Sequence, residues 1–237
     1  MGEALEKATD QLFQRQLEEA RARCRRNITR STVFFDIESG GLDPAHPDIQ
    51  LAAVAVDQES LEELASLEVK IQFNEADADP EALKLNHYDR EVWAREAVPA
   101  SVAVNRFSRF LDGFRAIEFV SKRTGMPYLV ARLAGHNADR FDGPRLKALF
   151  ERQGAFAPWD PRIRCTCQLA MWFFDANGIP GPENYKLETL CRYFAIRNAD
   201  DTSHDALADV RLTIELARTL AAAWRLQGHM APRYLTP

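Results

Sequence analysis

Two carboxylates two residues apart, Asp36 and Glu38, stand inside the apolar run Thr32-Val-Phe-Phe-Asp-Ile-Glu-Ser-Gly-Gly-Leu42. On a β-strand, side chains two apart share a face, so both acids project together while Phe35 and Ile37 pack the other side. At an effective dielectric of 20, two like charges about 4 Å apart repel by roughly 4 kcal/mol. A divalent cation removes that penalty, which makes the pair a candidate metal site. Gly40-Gly41 follows directly; it lets the backbone turn sharply and another molecule approach the main chain, as a substrate platform would. The spacing alone says little, because Asp57-Gln-Glu59 and Asp89-Arg-Glu91 share it. Those two lie in polar surroundings and read as solvated surface. Only within the apolar run is an unneutralised pair costly.

The elements that must hold such a site fit in 237 residues, 46% hydrophobic and 27% charged, which suits one main globular domain with room for an extension. A net charge of −5 provides no global basic field of the kind many duplex-DNA binders use, yet leaves room for a nuclease with a local groove. The four cysteines, Cys24, Cys165, Cys167 and Cys191, include no Cys-x-x-Cys pair. With no signal peptide, they suit buried thiols in a reducing cytoplasm. No stretch approaches the roughly 18 uninterrupted apolar residues of a membrane span.

Gly2 to about Thr29 reads as an extra helix with a thin stripe of Leu5, Leu12, Phe13 and Leu17. Its basic end, Arg21 to Arg30, is either a solvated helix end favoured by the dipole or a phosphate contact. Strands are predicted over Ile49–Val56 and Leu64–Phe73, forming a meander with the first. A short helix is predicted over Pro80–Asn86, with Pro at its start, and a longer one over Val98–Phe114, with Val102, Val104, Phe107, Phe110, Leu111 and Phe114 as core. Ala116–Gly125 is open between strand and loop. Tyr128–Ala134 reads as a buried strand leading to the polar cluster Gly135-His-Asn-Ala-Asp-Arg-Phe-Asp142, after which Leu146, Leu149 and Phe150 mark a helix. Polar residues gathered at such a strand end are where open α/β sheets bind ligands. Arg164–Phe174 reads as a short strand entering a helix, Gly178–Glu183 as a loop, and Tyr185–Phe194 as a helix. The final helix opens at Asp201-Thr-Ser-His-Asp205 and buries Leu207, Val210, Ile214, Ala217, Ala221 and Trp224. Thr202 and Ser203 are its candidate caps. His204 and Asp209, five apart, converge only if His204 lies on the segment entering that helix.

Taken in order, Phe35-Asp-Ile-Glu-Ser-Gly-Gly-Leu-Asp-Pro44, His136-Asn137 with Phe141-Asp142, and His204-x4-Asp209 resemble the three motifs of the DEDDh 3′-to-5′ exonucleases, the DnaQ-like branch of the ribonuclease-H-like superfamily. The resemblance spans roughly Thr32 to Leu226. It implies an α/β fold, a ribonuclease-H-like mixed β-sheet flanked by helices, here with an extra N-terminal helix. The organisation is then a helical extension over 1–30, an exonuclease domain over 31–228 and a short tail over 229–237. The chain departs from the family in three places, one being the N-terminal thirty residues, which lie outside the resemblance and carry no implied role. Ser39-Gly40 stands where two threonines are common. The second motif is one residue longer between Asn137 and Phe141, which makes Asp139 a rival to Asp142. Asp142 is preferred because it follows the motif aromatic and sets Leu146 on the buried face of the next helix.

The resemblance implies release of 5′-mononucleotides from the 3′ ends of single-stranded DNA or RNA, with Mg²⁺ or Mn²⁺, two per active site, held by Asp36, Glu38, Asp142 and Asp209. His204, titrating near neutrality, is the implied general base. Ser39, Gly41, Leu42, Leu85, Asn86 and Asn137 are the implied substrate contacts, with Leu85 stacking on the terminal base. His136 reads as a loop organiser held by hydrogen bonds rather than a ligand, and Cys165-Thr-Cys167 as core packing. The alternative is a catalytically silent nucleic-acid- or protein-binding module on the same fold, docking through the N-terminal helix. Retention of four mutually repelling carboxylates favours the enzyme.

Overall fold

The computed structural model describes residues 14–16, 18, 19, 21, 22, 25–196 and 205–226. Leu5, Leu12, Phe13, Leu17, Cys24, Thr202, Ser203, His204 and the tail 229–237 lie outside the described residues. Of the N-terminal stretch, residues 14–16, 18, 19, 21, 22 and 25–27 are helical.

A five-stranded sheet carries the domain, in the order β3-β2-β1-β6-β7. Strand β1 is Ser31–Ser39, β2 Asp48–Asp57, β3 Glu63–Lys70, β6 Leu133–Gly135 and β7 Arg164–Cys165. The first three form an antiparallel meander, with Phe34 opposite Val54 and Leu51 opposite Val69. Strand β6 then pairs parallel to β1 (Phe34 with Ala134), and β7 parallel to β6. The near-continuous apolar run of β2 follows from this position, since it has strands on both edges and packed side chains on both faces.

Alternation in β1 divides the molecule. Val33, Phe35 and Ile37 face a core built with helices α3 (Ala100–Asp112) and α4 (Asp142–Arg152), where Phe107 and Phe150 meet edge to face at 6.2 Å. Truncating a fully buried ring such as Phe150 to alanine typically costs about 3–5 kcal/mol. Phe34 faces α7 (Ala206–Leu226) instead, together with Ala52, Val54, Val210 and Ile214. The opposite flank of α7, Leu216 and Leu220, packs on α5 (Thr166–Asn177) and α6 (Leu187–Tyr193) through Phe173, Phe174 and Leu190. Its buried face is therefore wider than the single predicted stripe.

Several predicted elements change. The strand expected over Tyr128–Ala134 is two strands: β5 (Pro127–Ala131) pairs antiparallel with β4 (Arg115–Val120) in a small separate sheet, and the chain then crosses at Arg132 into β6. That pairing also resolves Ala116–Gly125 as strand up to Val120 and a turn beyond it. The long predicted helix starts at Ala100 after Pro99, and Val102 turns outward, 37% exposed. An additional helix, α2 (Arg90–Glu96), follows α1 (Pro80–Leu85). Asp89 caps α2 by accepting from the N–H groups of Glu91 and Val92 at 2.8 and 3.0 Å, while Asp57 plays a similar part in the β2–β3 turn. Both are local surface devices, as their polar surroundings imply.

Candidate active site

Strand β1 delivers Asp36 and Glu38 near its C-terminal end, on the face that meets the start of α7. Parallel pairing brings the end of β6 to the same edge, and the turn after it launches α4 with Asp142 at its first position. The Ile37 N–H, between the two strand acids, donates to Asp142 Oδ1 at 3.2 Å. Asp209 lies in the first turn of α7, with Asp205 just ahead of that helix. The three sequence regions thus supply acids to one edge of the sheet.

The electrostatics record how closely the acids interact. Burial, followed by repulsion from Asp142, Glu38, Asp209 and Asp205, raises Asp36 well above the usual carboxylate range. Glu38 is pushed up to about 8, by burial first and then by Asp209, Asp142 and Asp205. Asp142, only 4% exposed, is pushed up to about 7 by burial, against the lowering effects of the Ile37 hydrogen bond and the Arg145 charge. A hard, anionic oxygen set held against its own repulsion is the chemistry a Mg²⁺ or Mn²⁺ ion compensates, so these residues fit a divalent cation. Among the described residues, no three His, Cys, Asp or Glu side chains close into a ready ligand cluster.

Asp139, the rival in the second motif, points elsewhere. Its Oδ2 accepts from Gln168 Nε2 of α5 at 2.6 Å, and it lies near Cys165 and Cys167. His136 is fixed by two hydrogen bonds, to Thr166 Oγ1 and to the Tyr185 carbonyl, both 2.9 Å. A carbonyl only accepts, so Nε2 carries the proton and Nδ1 accepts from the threonine. Burial lowers the His136 pKa, in keeping with a neutral loop organiser.

Beside the acids, residues 40–47 form a loop joining β1 to β2. A Cβ on Gly40 would come within 2.7 Å of Ala78 Cβ, and one on Gly41 within 2.5 Å of the His46 ring at φ +153°. Ser39 Oγ donates to the Gly41 carbonyl at 2.8 Å, and buried Asn86 donates from Nδ2 to the Ser39 carbonyl at 2.9 Å. The polar groups of Ser39 and Asn86 are therefore engaged within the fold. Leu42 and Leu85, by contrast, are 87% and 53% exposed and offer apolar surface. Asn137 is exposed at φ 55°, its carbonyl closing the turn toward Arg140 and Phe141.

Two groups escaped the sequence reading. Asp205 accepts from the Ala208 N–H at 3.0 Å and so caps α7, the part predicted for Thr202 or Ser203. An Asp directly ahead of the periodic apolar run was an available signal. Arg145, 7% exposed, has no such local signature; its partners are 97 to 104 residues away.

The sheet order, with an antiparallel meander continued by parallel strands and helices on both faces, defines a ribonuclease-H-like α/β fold. Solved structures of exonuclease I are among those it resembles. One, reported as suggesting how processivity is achieved, is 21% identical with a TM-score of 0.61, over 82% of this chain and 41% of that chain. E. coli exonuclease I in complex with a dT13 oligonucleotide gives 20% identity and a TM-score of 0.62, over 84% of this chain and 43% of the other. The zinc-bound form of the E. coli enzyme with single-stranded DNA is 20% identical with a TM-score of 0.62, over 85% and 42%. The chain spans less than half the length of these structures, and at such identity the likeness shows the fold alone. No family model and no curated protein matches the sequence. Among the described residues, no helix is long and apolar enough to cross a membrane.

Proposed function

We propose that this chain is a metal-dependent 3′-to-5′ exonuclease that hydrolyses phosphodiester bonds at the 3′ end of single-stranded DNA or RNA and releases 5′-mononucleotides. The observation that carries the reading is the convergence of Asp36, Glu38, Asp142 and Asp209 at one sheet edge, where burial pushes the carboxyls of the first three up and repulsion from the neighbouring acids adds to it at Asp36 and Glu38. Asp36, Glu38, Asp142 and Asp209 would hold two Mg²⁺ or Mn²⁺ ions, which when bound supply positive charge for the phosphate and activation of water.

The chain's own groups do the rest. His204, directly ahead of Asp205, takes the proton from the attacking water as general base. Leu42 and Leu85 offer apolar surface to the terminal base, and the Gly41 backbone lets the nucleotide approach the main chain. Ser39 and Asn86 brace that platform through their hydrogen bond, and Asn137, exposed in the turn ahead of α4, is a further substrate contact. The three described cysteines are free, which suits a reducing cytoplasmic setting. Incubation with single-stranded oligonucleotides and Mn²⁺, followed by chromatography of the products, tests the proposal. Mononucleotides carrying a 5′-phosphate are expected; oligonucleotide fragments or 3′-phosphates would contradict it.

A further inference from the structure

Residues 42–45 of the loop 40–47 are exposed and poorly supported by packing. One side borders a cleft of about 460 Å³ lined by Pro44, His46, Pro47, Asp48 and Arg152; the other borders a pocket of about 130 Å³ lined by Leu42, Pro44, Phe141 and Arg145. Hydrogen bonds hold it instead. Its mouth is closed by Gly40 N–H donating to the Pro47 carbonyl at 2.8 Å, and one edge by His46 Nδ1 donating to the Asp77 carbonyl at 2.9 Å.

From the α4 side, two guanidiniums reach it and the start of β2: Arg152 Nη2 donates to Asp48 Oδ2 alone, at 2.7 Å, whereas Arg145 spans the loop. Arg145 Nη2 donates to the Gly41 and Asp43 carbonyls at 2.7 and 2.9 Å, and Nη1 to Asp48 Oδ1 and the His46 carbonyl at 3.1 and 3.3 Å. The guanidinium lies over the Phe141 ring, 4.8 Å from its centroid. Only a planar fork with several N–H donors can serve acceptors at both ends of a loop in this way; a lysine ammonium cannot. Arg145 lies one helical turn after Asp142, so the same residue ties the loop bearing Leu42 to the helix bearing an acid of the site.

We infer that Arg145 is a positioning residue, clamping the Gly41–Pro47 loop and the start of β2 to α4 so that Leu42 and the Gly41 backbone hold the 3′-terminal nucleotide in register with Asp142. The inference rests on the exonuclease reading for its substrate but not for the clamp itself.

The test compares full-length wild type, Arg145→Gln, Arg145→Lys, Leu42→Ala and the double variant Leu42→Ala/Arg145→Gln. Amide hydrogen exchange is read over residues 41–48, and kcat and KM on a single-stranded oligonucleotide with Mn²⁺. In Arg145→Gln, exchange across the loop should rise at least tenfold while β1 and α7 stay protected, and kcat/KM should fall at least tenfold. Arg145→Lys should fall in between, and it carries the test if the glutamine variant does not fold. Leu42→Ala should lower kcat/KM several-fold in wild type but less than twofold in the Arg145→Gln background, since an unclamped loop no longer presents Leu42. Unchanged loop exchange, or fully multiplicative effects of the two substitutions, would overturn the inference. If wild type hydrolyses nothing, the exonuclease reading fails separately, and loop exchange alone decides the clamp.

Discussion

The backbone N–H of Ile37 donates to the carboxylate of Asp142 across 3.2 Å and 105 positions of sequence. Ile37 separates Asp36 from Glu38, so this hydrogen bond sets the first-strand acids against the helix acid. It also favours the charged form of Asp142, which burial opposes.

That relationship distinguishes the two acids of the second motif. Asp142→Asn should reduce exonuclease turnover by at least a hundredfold. Asp139→Asn, whose carboxylate serves Gln168, should stay within a few-fold of wild type. Steady-state rates on one oligonucleotide with circular dichroism as a folding control decide the matter, and the reverse order would make Asp139 the ligand.

Stability without divalent metal should fall as pH rises. Glu38 and Asp142 bind protons more tightly folded than unfolded, with pKa values pushed up to about 8 and about 7. The stability they contribute is fully present below their unfolded values and is lost as pH rises through 7 to 8. Melting in EDTA should therefore decline between pH 6.5 and 8.5, with a shallower decline in Asp142→Asn. Mn²⁺ competes with protons for the same oxygens, so its stabilising shift should grow over that range.

Asn86 and Leu85 should separate cleanly. Asn86→Ala removes a buried donor and strands the Ser39 carbonyl, a loss of about 1–3 kcal/mol in denaturant unfolding. Leu85→Ala touches a half-exposed side chain and should change stability by no more than about 0.5 kcal/mol, while raising KM.

His204→Ala should lower kcat by about 10²–10⁴-fold, the usual contribution of a general base, and remove the acidic limb of the pH–rate profile. The Mn²⁺-induced melting shift should persist, because the carboxylates remain. Loss of that shift would instead make His204 part of the metal site.

Much of this arrangement was legible in sequence because it violates simple rules. Two acids inside the apolar strand of Phe35 and Ile37 have no structural purpose, and the period of α7 is long enough to be unambiguous. Leu146, Leu149 and Phe150 likewise fixed the helix that Asp142 begins. What escaped depended on partners distant in sequence. Apolar runs do not state which strand they pair with, so the sheet change at Arg132 was hidden within Tyr128–Ala134. Helix α2 buries only Trp93, whose indole N–H donates to the Ile49 carbonyl at 3.2 Å, and seven residues with one buried position leave no periodicity. Arg145 looked like any helical arginine because its acceptors are mainly carbonyls of a remote loop.

The most direct measurement is digestion of 5′-labelled single-stranded DNA and RNA oligomers by wild type and Asp36→Ala, each with Mg²⁺, Mn²⁺ or EDTA. The expected result is a ladder that shortens from the 3′ end in Mg²⁺ or Mn²⁺, is absent in EDTA and is abolished by Asp36→Ala, with the faster polymer identifying the substrate. Folded wild-type protein that leaves both polymers intact under every metal condition would contradict it.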